Sequence, residues 1–116
     1  PMAIVTSSQR VHFDAIHART GLLRFFDAVL ASGDYDRHKP HPEPFLAGAA
    51  RLGVAPEACV AIEDSPRGLA AAVAAGMRCW AIPTALTRGG DFSRAHAVLA
   101  SVRAIPGHRE TARAQS

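Results

Sequence analysis

Val60-Ala61-Ile62-Glu63-Asp64-Ser65-Pro66-Arg67-Gly68 is the stretch that decides how this chain folds. A short apolar run ends in two adjacent carboxylates, and a helix start follows at once. Ser65 suits the N-cap, and Pro66 suits the first helical position, where a missing N–H costs nothing. Leu69, Ala70, Ala71, Ala72, Val73 and Ala75 carry the helix on to Gly76, a natural stop. Glu63 and Asp64 therefore sit at the C-terminal lip of a strand, against the start of the next helix. In open α/β sheets that lip is where ligands bind. Two neighbouring carboxylates repel each other unless a cation or basic group lies between them. From this stretch alone two readings stand. One is a site for a hard divalent ion such as Mg2+, held by one or two carboxylates with water and phosphate oxygens. The other is a solvated acidic turn that caps a helix.

On the downstream side, residues 79–82 read as another strand, ended by Pro83, and residues 86–91 as a loop. Residues 97–100 form a short edge strand and residues 101–105 a last turn of helix, before a polar, basic tail at 107–116. On the upstream side, residues 59–62 are the strand that the opening stretch completes. Gly53 closes a helix over 42–52 with Phe45, Leu46, Ala49, Ala50 and Leu52 on its apolar side. Residues 35–44 are a polar, proline-rich loop, residues 27–30 a strand, 9–19 a helix stopped by Thr20-Gly21, and 2–5 the first strand. Strands and helices alternate, which predicts an α/β fold: a three-layer, Rossmann-like parallel sheet with helices on both faces. The boundaries predicted are one domain over residues 1–106 and a flexible tail over 107–116.

The first strand runs into Thr6-Ser7-Ser8 just ahead of a helix. Backbone N–H groups and the positive end of the helix dipole would make this an anion site; ordinary capping by Ser8 explains the same residues. Charge adds a second clue. Of the 13 basic residues, Lys39 alone is lysine, in His38-Lys39-Pro40. A chain that uses arginine wherever any cation will do has reason to keep one compact ammonium, unless chance left it there.

Composition excludes several classes. At 116 residues the chain has the length of one domain, and 48% apolar with 20% charged residues is ordinary globular usage. No apolar run approaches the roughly 20 residues of a membrane span, and no basic-then-apolar leader opens the chain, so a cytoplasmic protein is expected. Cys59 and Cys79 are expected as reduced, buried thiols. A pI near 9.5 invites nucleic acid, but the arginines are scattered and no aromatic residues interleave with them. The six histidines show no zinc spacing.

Three signals thus fall in order on one lip of the sheet: the strand ending in Thr6-Ser7-Ser8, the segment His38-Lys39-Pro40-His41-Pro42-Glu43-Pro44-Phe45, and Ile62-Glu63-Asp64-Ser65-Pro66-Arg67-Gly68. Together they resemble the haloacid dehalogenase superfamily, in the branch similar to β-phosphoglucomutase and phosphoglycolate phosphatase. The resemblance runs to about Ile105. It implies a Mg2+-dependent phosphoryl-transfer enzyme, a phosphatase or phosphosugar mutase, acting on a small phosphorylated metabolite. It also implies roles for single residues. Thr6 donates its hydroxyl to the transferring phosphoryl group, with Ser7 and Ser8 near phosphate or substrate. Lys39 holds nucleophile and phosphoryl oxygens together, and Glu63 and Asp64 hold Mg2+.

The chain departs from that family at its first motif, a strand ending in Asp-x-Asp whose first aspartate is the nucleophile. Asp34-Tyr35-Asp36 is the nearest pair, but it lies in a polar loop without an apolar strand before it, and is rejected. The substrate-selecting cap that the family inserts after this motif is absent as well. The chain therefore reads as a partial core, without the nucleophile strand, and inactive alone. The lost strand would lie between those ending at Thr6 and Glu63. An N-terminal segment, a swapped homodimer partner or direct pairing of the two inner strands is expected to fill the gap. A non-catalytic phosphate-binding or protein-interaction module is the alternative.

Overall fold

A computed structural model describes residues 1–108. The strands are β1 (Ala3–Gln9), β2 (Ala28–Ser32), β3 (Val60–Glu63), β4 (Arg78–Ala81) and β5 (Ala97–Val98). The helices are α1 (Arg10–His17), α2 (Glu43–Leu52) and α3 (Pro66–Ala74), with 3-10 turns at Leu22–Phe25, Pro56–Ala58 and Val102–Ala104. All strand pairings are parallel, as the alternating order of elements predicts.

The strands form two sheets, β1-β2 and β3-β4-β5. The inner strands β1 and β3 do not pair with each other, so direct pairing of these edges is not how the gap closes. Helices bind the two sheets instead. Ala61 of β3 and Cys79 of β4 pack with Phe45 and Ala49 of α2 and with Leu69, Ala71 and Ala72 of α3, and Val5 of β1 joins the rim of this core. The alanines let α3 approach closely; Ala71 and Ala72 are wholly buried. Gly48 lets α2 do the same, because a Cβ there would lie 2.8 Å from Val5 Cγ2. Ala28, Leu30 and Tyr35 make a smaller core with Ala3, Val5, Ala47 and Leu52. Helix α1 also packs on β1 and β2. On β3 the pattern splits: Ala61 and Glu63 point into the core, while Val60 and Ile62 are 43% and 42% exposed.

Two expectations change. The first strand runs on to Gln9 rather than stopping at Val5, and the pairing register slips from Val5↔Leu30 to Gln9↔Ser32. Four residues advance on β1 against two on β2, so Thr6-Ser7-Ser8 form a bulge within the strand. Ser8 does not cap α1 either; Gln9 takes that position without a side-chain hydrogen bond. The other boundaries move by one or two residues, the usual scatter at element ends. Of the expected tail, Gly107 and His108 are in helical conformation, and His108 meets Trp80 edge-on at 4.5 Å. Residues 109–116 of that tail lie outside the described residues.

Candidate phosphoryl-transfer site

Strand β3 ends at Glu63, and the helix that follows starts as its residues dictate. The Ser65 hydroxyl accepts a hydrogen bond from the Gly68 N–H at 3.1 Å, and Pro66 occupies the first turn. This brings Gly68 directly over the Glu63 carboxylate, where a Cβ would overlap the oxygens. Glycine is thus required by a close approach, since its backbone is ordinary helix.

Lys39 reaches this carboxylate from the loop before α2. Its Nζ donates to Glu63 Oε1 at 2.6 Å and to the Val5 carbonyl of β1 at 3.1 Å, and lies 4.7 Å from the centre of the Phe45 ring. The pair is largely desolvated, with side chains 13% and 8% exposed. In such surroundings the Coulomb attraction is strong and loss of either partner is costly. One lysine therefore spans the two sheets, from a main-chain oxygen of β1 to a carboxylate of β3.

The loop that delivers Lys39 is fastened at several points. Glu43, in the first turn of α2, accepts the backbone N–H groups of Asp36 and Arg37 at 2.9 and 3.1 Å. The Asp36 N–H, with help from that of Arg37, holds the Glu43 carboxyl below its ordinary value. The Tyr35 ring meets His38 edge-on at 5.4 Å, and its hydroxyl donates to the Thr6 carbonyl at 2.7 Å. Burial pushes the Tyr35 hydroxyl pKa up. Arg67 Nε donates to the Lys39 carbonyl at 3.0 Å, and Arg67 Nη2 donates to the same oxygen.

A cleft of about 400 Å3 opens between the sheets, lined by Val5, Thr6, Ser7, Lys39, Ile62, Glu63, Asp64, Ile82 and Val102. An adjoining cleft of about 320 Å3 shares Ser7, Lys39, Glu63 and Asp64 and adds His38, Ser65 and Arg67. Five of the six residues singled out from the sequence thus meet at one place: Thr6, Ser7, Lys39, Glu63 and Asp64. Ser8 lines neither cleft; its N–H donates to Thr6 Oγ1 at 3.1 Å. Thr6 Oγ1 therefore accepts one backbone bond and keeps its own proton to donate. Asp34 is far from this chemistry in role: its carboxylate is tied to the Ala31 N–H at 2.9 Å and to Arg10 at 2.7 Å, and both hold its pKa down. That agrees with its rejection as a nucleophile.

Among the described residues no three His, Cys, Asp or Glu side chains converge to hold a metal ion. The acidic pair divides instead. Glu63 Oε1 is taken by an ammonium, which relieves the repulsion that two adjacent carboxylates would feel, while Asp64 is exposed on both clefts. Hard oxygens are the donors Mg2+ prefers, and one or two carboxylates with water and phosphate suffice for it. The donor set fits such an ion, with Asp64 the freer ligand. Arg67, Tyr35 and Glu43 were not picked out from the sequence. Arg67 stood within the opening stretch, yet nothing in a linear chain points its guanidinium at a carbonyl 28 residues away.

The family model for haloacid dehalogenase-like hydrolases matches residues 1–82. Over 77 residues the chain is 47% identical to fructose-1-phosphate phosphatase YqaB of Escherichia coli, covering 66% of this chain and 41% of that protein. It is 40% identical over 97 residues to protein CbbY of Rhodobacter capsulatus, covering 81% of this chain and 43% of that one. The crystal structure of CbbY from Rhodobacter sphaeroides in complex with phosphate superposes with a TM-score of 0.78 at 32% identity, over 85% of this chain and 45% of that one. The chain spans less than half the length of these relatives.

Proposed function

Since the chain belongs to the haloacid dehalogenase-like hydrolases, we propose that it forms part of a Mg2+-dependent phosphoryl-transfer enzyme acting on a small phosphorylated metabolite. A phosphatase of sugar phosphates is the reading that the similarity to fructose-1-phosphate phosphatase supports; a phosphosugar mutase would use the same groups. The carrying observation is the Lys39 ammonium bound to Glu63 at the mouth of a cleft that Thr6 and Asp64 also line.

Phosphoryl transfer asks a protein mainly for positioning and for positive charge around the equatorial oxygens. Lys39 supplies a fixed charge, and the Thr6 hydroxyl supplies a donor at the same cleft. Asp64, with Glu63 beside it, would hold Mg2+, which when bound adds charge to polarise a phosphoryl oxygen. Ser7 lines both clefts and is suited to a phosphate or substrate oxygen. Ser8 contributes through the Thr6 hydroxyl it bonds rather than by facing the cleft.

A nucleophile has to come from outside these residues. Asp34-Tyr35-Asp36 follows the end of β2 but lines neither cleft, and Asp64 is the one aspartate on the cleft walls. We infer that the reaction needs an N-terminal segment or a swapped second copy seated between β1 and β3, and that residues 1–116 alone bind without turnover. That same absence favours a second reading, a non-catalytic phosphate-binding or interaction module. Two free cysteines, one buried and one half-buried, support a reducing compartment such as the cytoplasm. No described helix is long and apolar enough to cross a membrane.

Titration calorimetry with Mg2+ and inorganic phosphate, paired with hydrolysis of an aryl phosphate, tests this. Binding of phosphate that Lys39→Ala weakens, and of Mg2+ that Asp64→Asn weakens, is expected without turnover. Turnover that appears when an Asp-x-Asp segment is supplied selects the enzyme over the binding module. Near-normal activity of Lys39→Ala in that completed protein would sink the enzyme reading.

A further inference from the structure

We propose that Arg67 is a positioning residue for Lys39, fixing the backbone from which the ammonium reaches into the cleft. The inference rests on the reading of Lys39 as the charge that meets phosphate. Nε at 3.0 Å and Nη2 of one guanidinium both address the Lys39 carbonyl. A planar fork on one oxygen fixes direction as well as distance, which a single flexible donor cannot do.

The other fasteners of this loop act on either side of Lys39. Glu43 holds the N–H groups of Asp36 and Arg37, His41 Nδ1 accepts from the Glu43 N–H at 3.1 Å, and Tyr35 meets His38. Arg67 grips the main chain of Lys39 itself. It does so from the first turn of α3, four residues after the carboxylate that takes the ammonium. The β3–α3 unit therefore holds Lys39 at both ends, Glu63 at Nζ and Arg67 at the carbonyl, so the long stem between them hangs from two fixed points. A lysine stem has many rotamers, and fixing its base removes most of the search. The guanidinium is exposed, so it acts here without belonging to the core.

The chain's one lysine makes the test direct. Trinitrobenzenesulfonate labelling of the 116-residue chain, located by peptide mapping, reads the accessibility of Lys39, and circular dichroism reads the fold. Losing a charge-assisted bond to the loop should raise the Lys39 labelling rate roughly tenfold in Arg67→Ala with the fold intact. Arg67→Gln, which keeps one donor, should recover part of the protection and serves if the alanine variant fails to fold. A rate within about twofold of wild type in both variants, while Glu63→Gln accelerates labelling, overturns the proposal. A second arm follows the Lys39 ε-carbon resonance during titration with inorganic phosphate. Arg67→Ala should shift the midpoint upward about fivefold, an effect that a residue merely stabilising the fold would not give. Absence of any phosphate response in wild type would defeat the functional reading, and the labelling rates would still decide on Arg67.

Discussion

The molecule contains two strand-to-helix turns on one lip, and they are built in opposite ways. At β3–α3 the neighbouring residues do the work. Ser65 caps, Pro66 starts the helix, and Gly68 lets the first turn lie on Glu63. At β1–α1 the neighbours do little. The strand bulges through Thr6-Ser7-Ser8, Gln9 caps nothing, and the chain is held by distant groups: Tyr35 on the Thr6 carbonyl, Lys39 on the Val5 carbonyl, and Arg10 on the Val29 carbonyl at 3.0 Å. A turn of the first kind is specified by its own residues, although its helix still needs the core to pack on. A turn of the second kind takes its shape only after the rest of the domain has assembled.

Glu63→Ala should break both turns at once, because it strands the Lys39 ammonium that ties them. Removing one partner of a largely buried pair costs about 3–5 kcal/mol, which urea unfolding would register as a lower midpoint at unchanged slope. A midpoint within error of wild type would mean that the two turns are independent. Gly68→Ala acts first on the local turn, by pushing a methyl into the Glu63 carboxylate, and reaches the other only through Lys39. Overpacking there should cost about 2 kcal/mol, and Lys39 should become open to amine reagents. Tyr35→Phe attacks the distant turn alone. It removes the donor to the Thr6 carbonyl and should cost about 1 kcal/mol, with faster amide exchange confined to β1 and the start of α1. Ser65→Ala sharpens the contrast from the other side, costing about 1 kcal/mol with faster exchange confined to the first turn of α3.

Acid gives the mildest perturbation. The folded Glu43 carboxyl titrates below its ordinary 4.5, so its contribution is present above that value and is lost as pH falls through the lower, folded one. Asp36 and Arg37 amide signals should shift in that acidic window. The opposite sign applies at Cys79, whose thiol burial pushes up to about 11. The folded state should therefore lose stability as pH rises from the ordinary thiol range toward that value, and Cys79 should resist alkylation at neutral pH.

The same contrast explains what could be read from the residues in order. The β3–α3 turn was legible almost to the atom, because a cap, a proline and a glycine stop are local signals. The parallel α/β architecture followed from alternation, and Lys39 stood out as the one lysine. The bulge at Thr6-Ser7-Ser8 was not legible, since hydroxyls before a helix read equally well as a cap. What decides between them is the slip in pairing with β2 and a tyrosine 29 residues away. The division of labour between Glu63 and Asp64 was hidden for the same reason. Their equivalence in the chain ends only when strand alternation turns Glu63 inward to meet Lys39 and leaves Asp64 outside.

Lys39 also has a mechanical consequence. Both bonds that join the sheets meet at one atom, the ammonium nitrogen, so the join is a pivot rather than a rod. The spacing of the sheets at the mouth of the cleft is therefore fixed by two hydrogen bonds, 3.1 and 2.6 Å long, that share a single donor. The gap between the sheets is set at its base by α2 and at its mouth by a single ammonium.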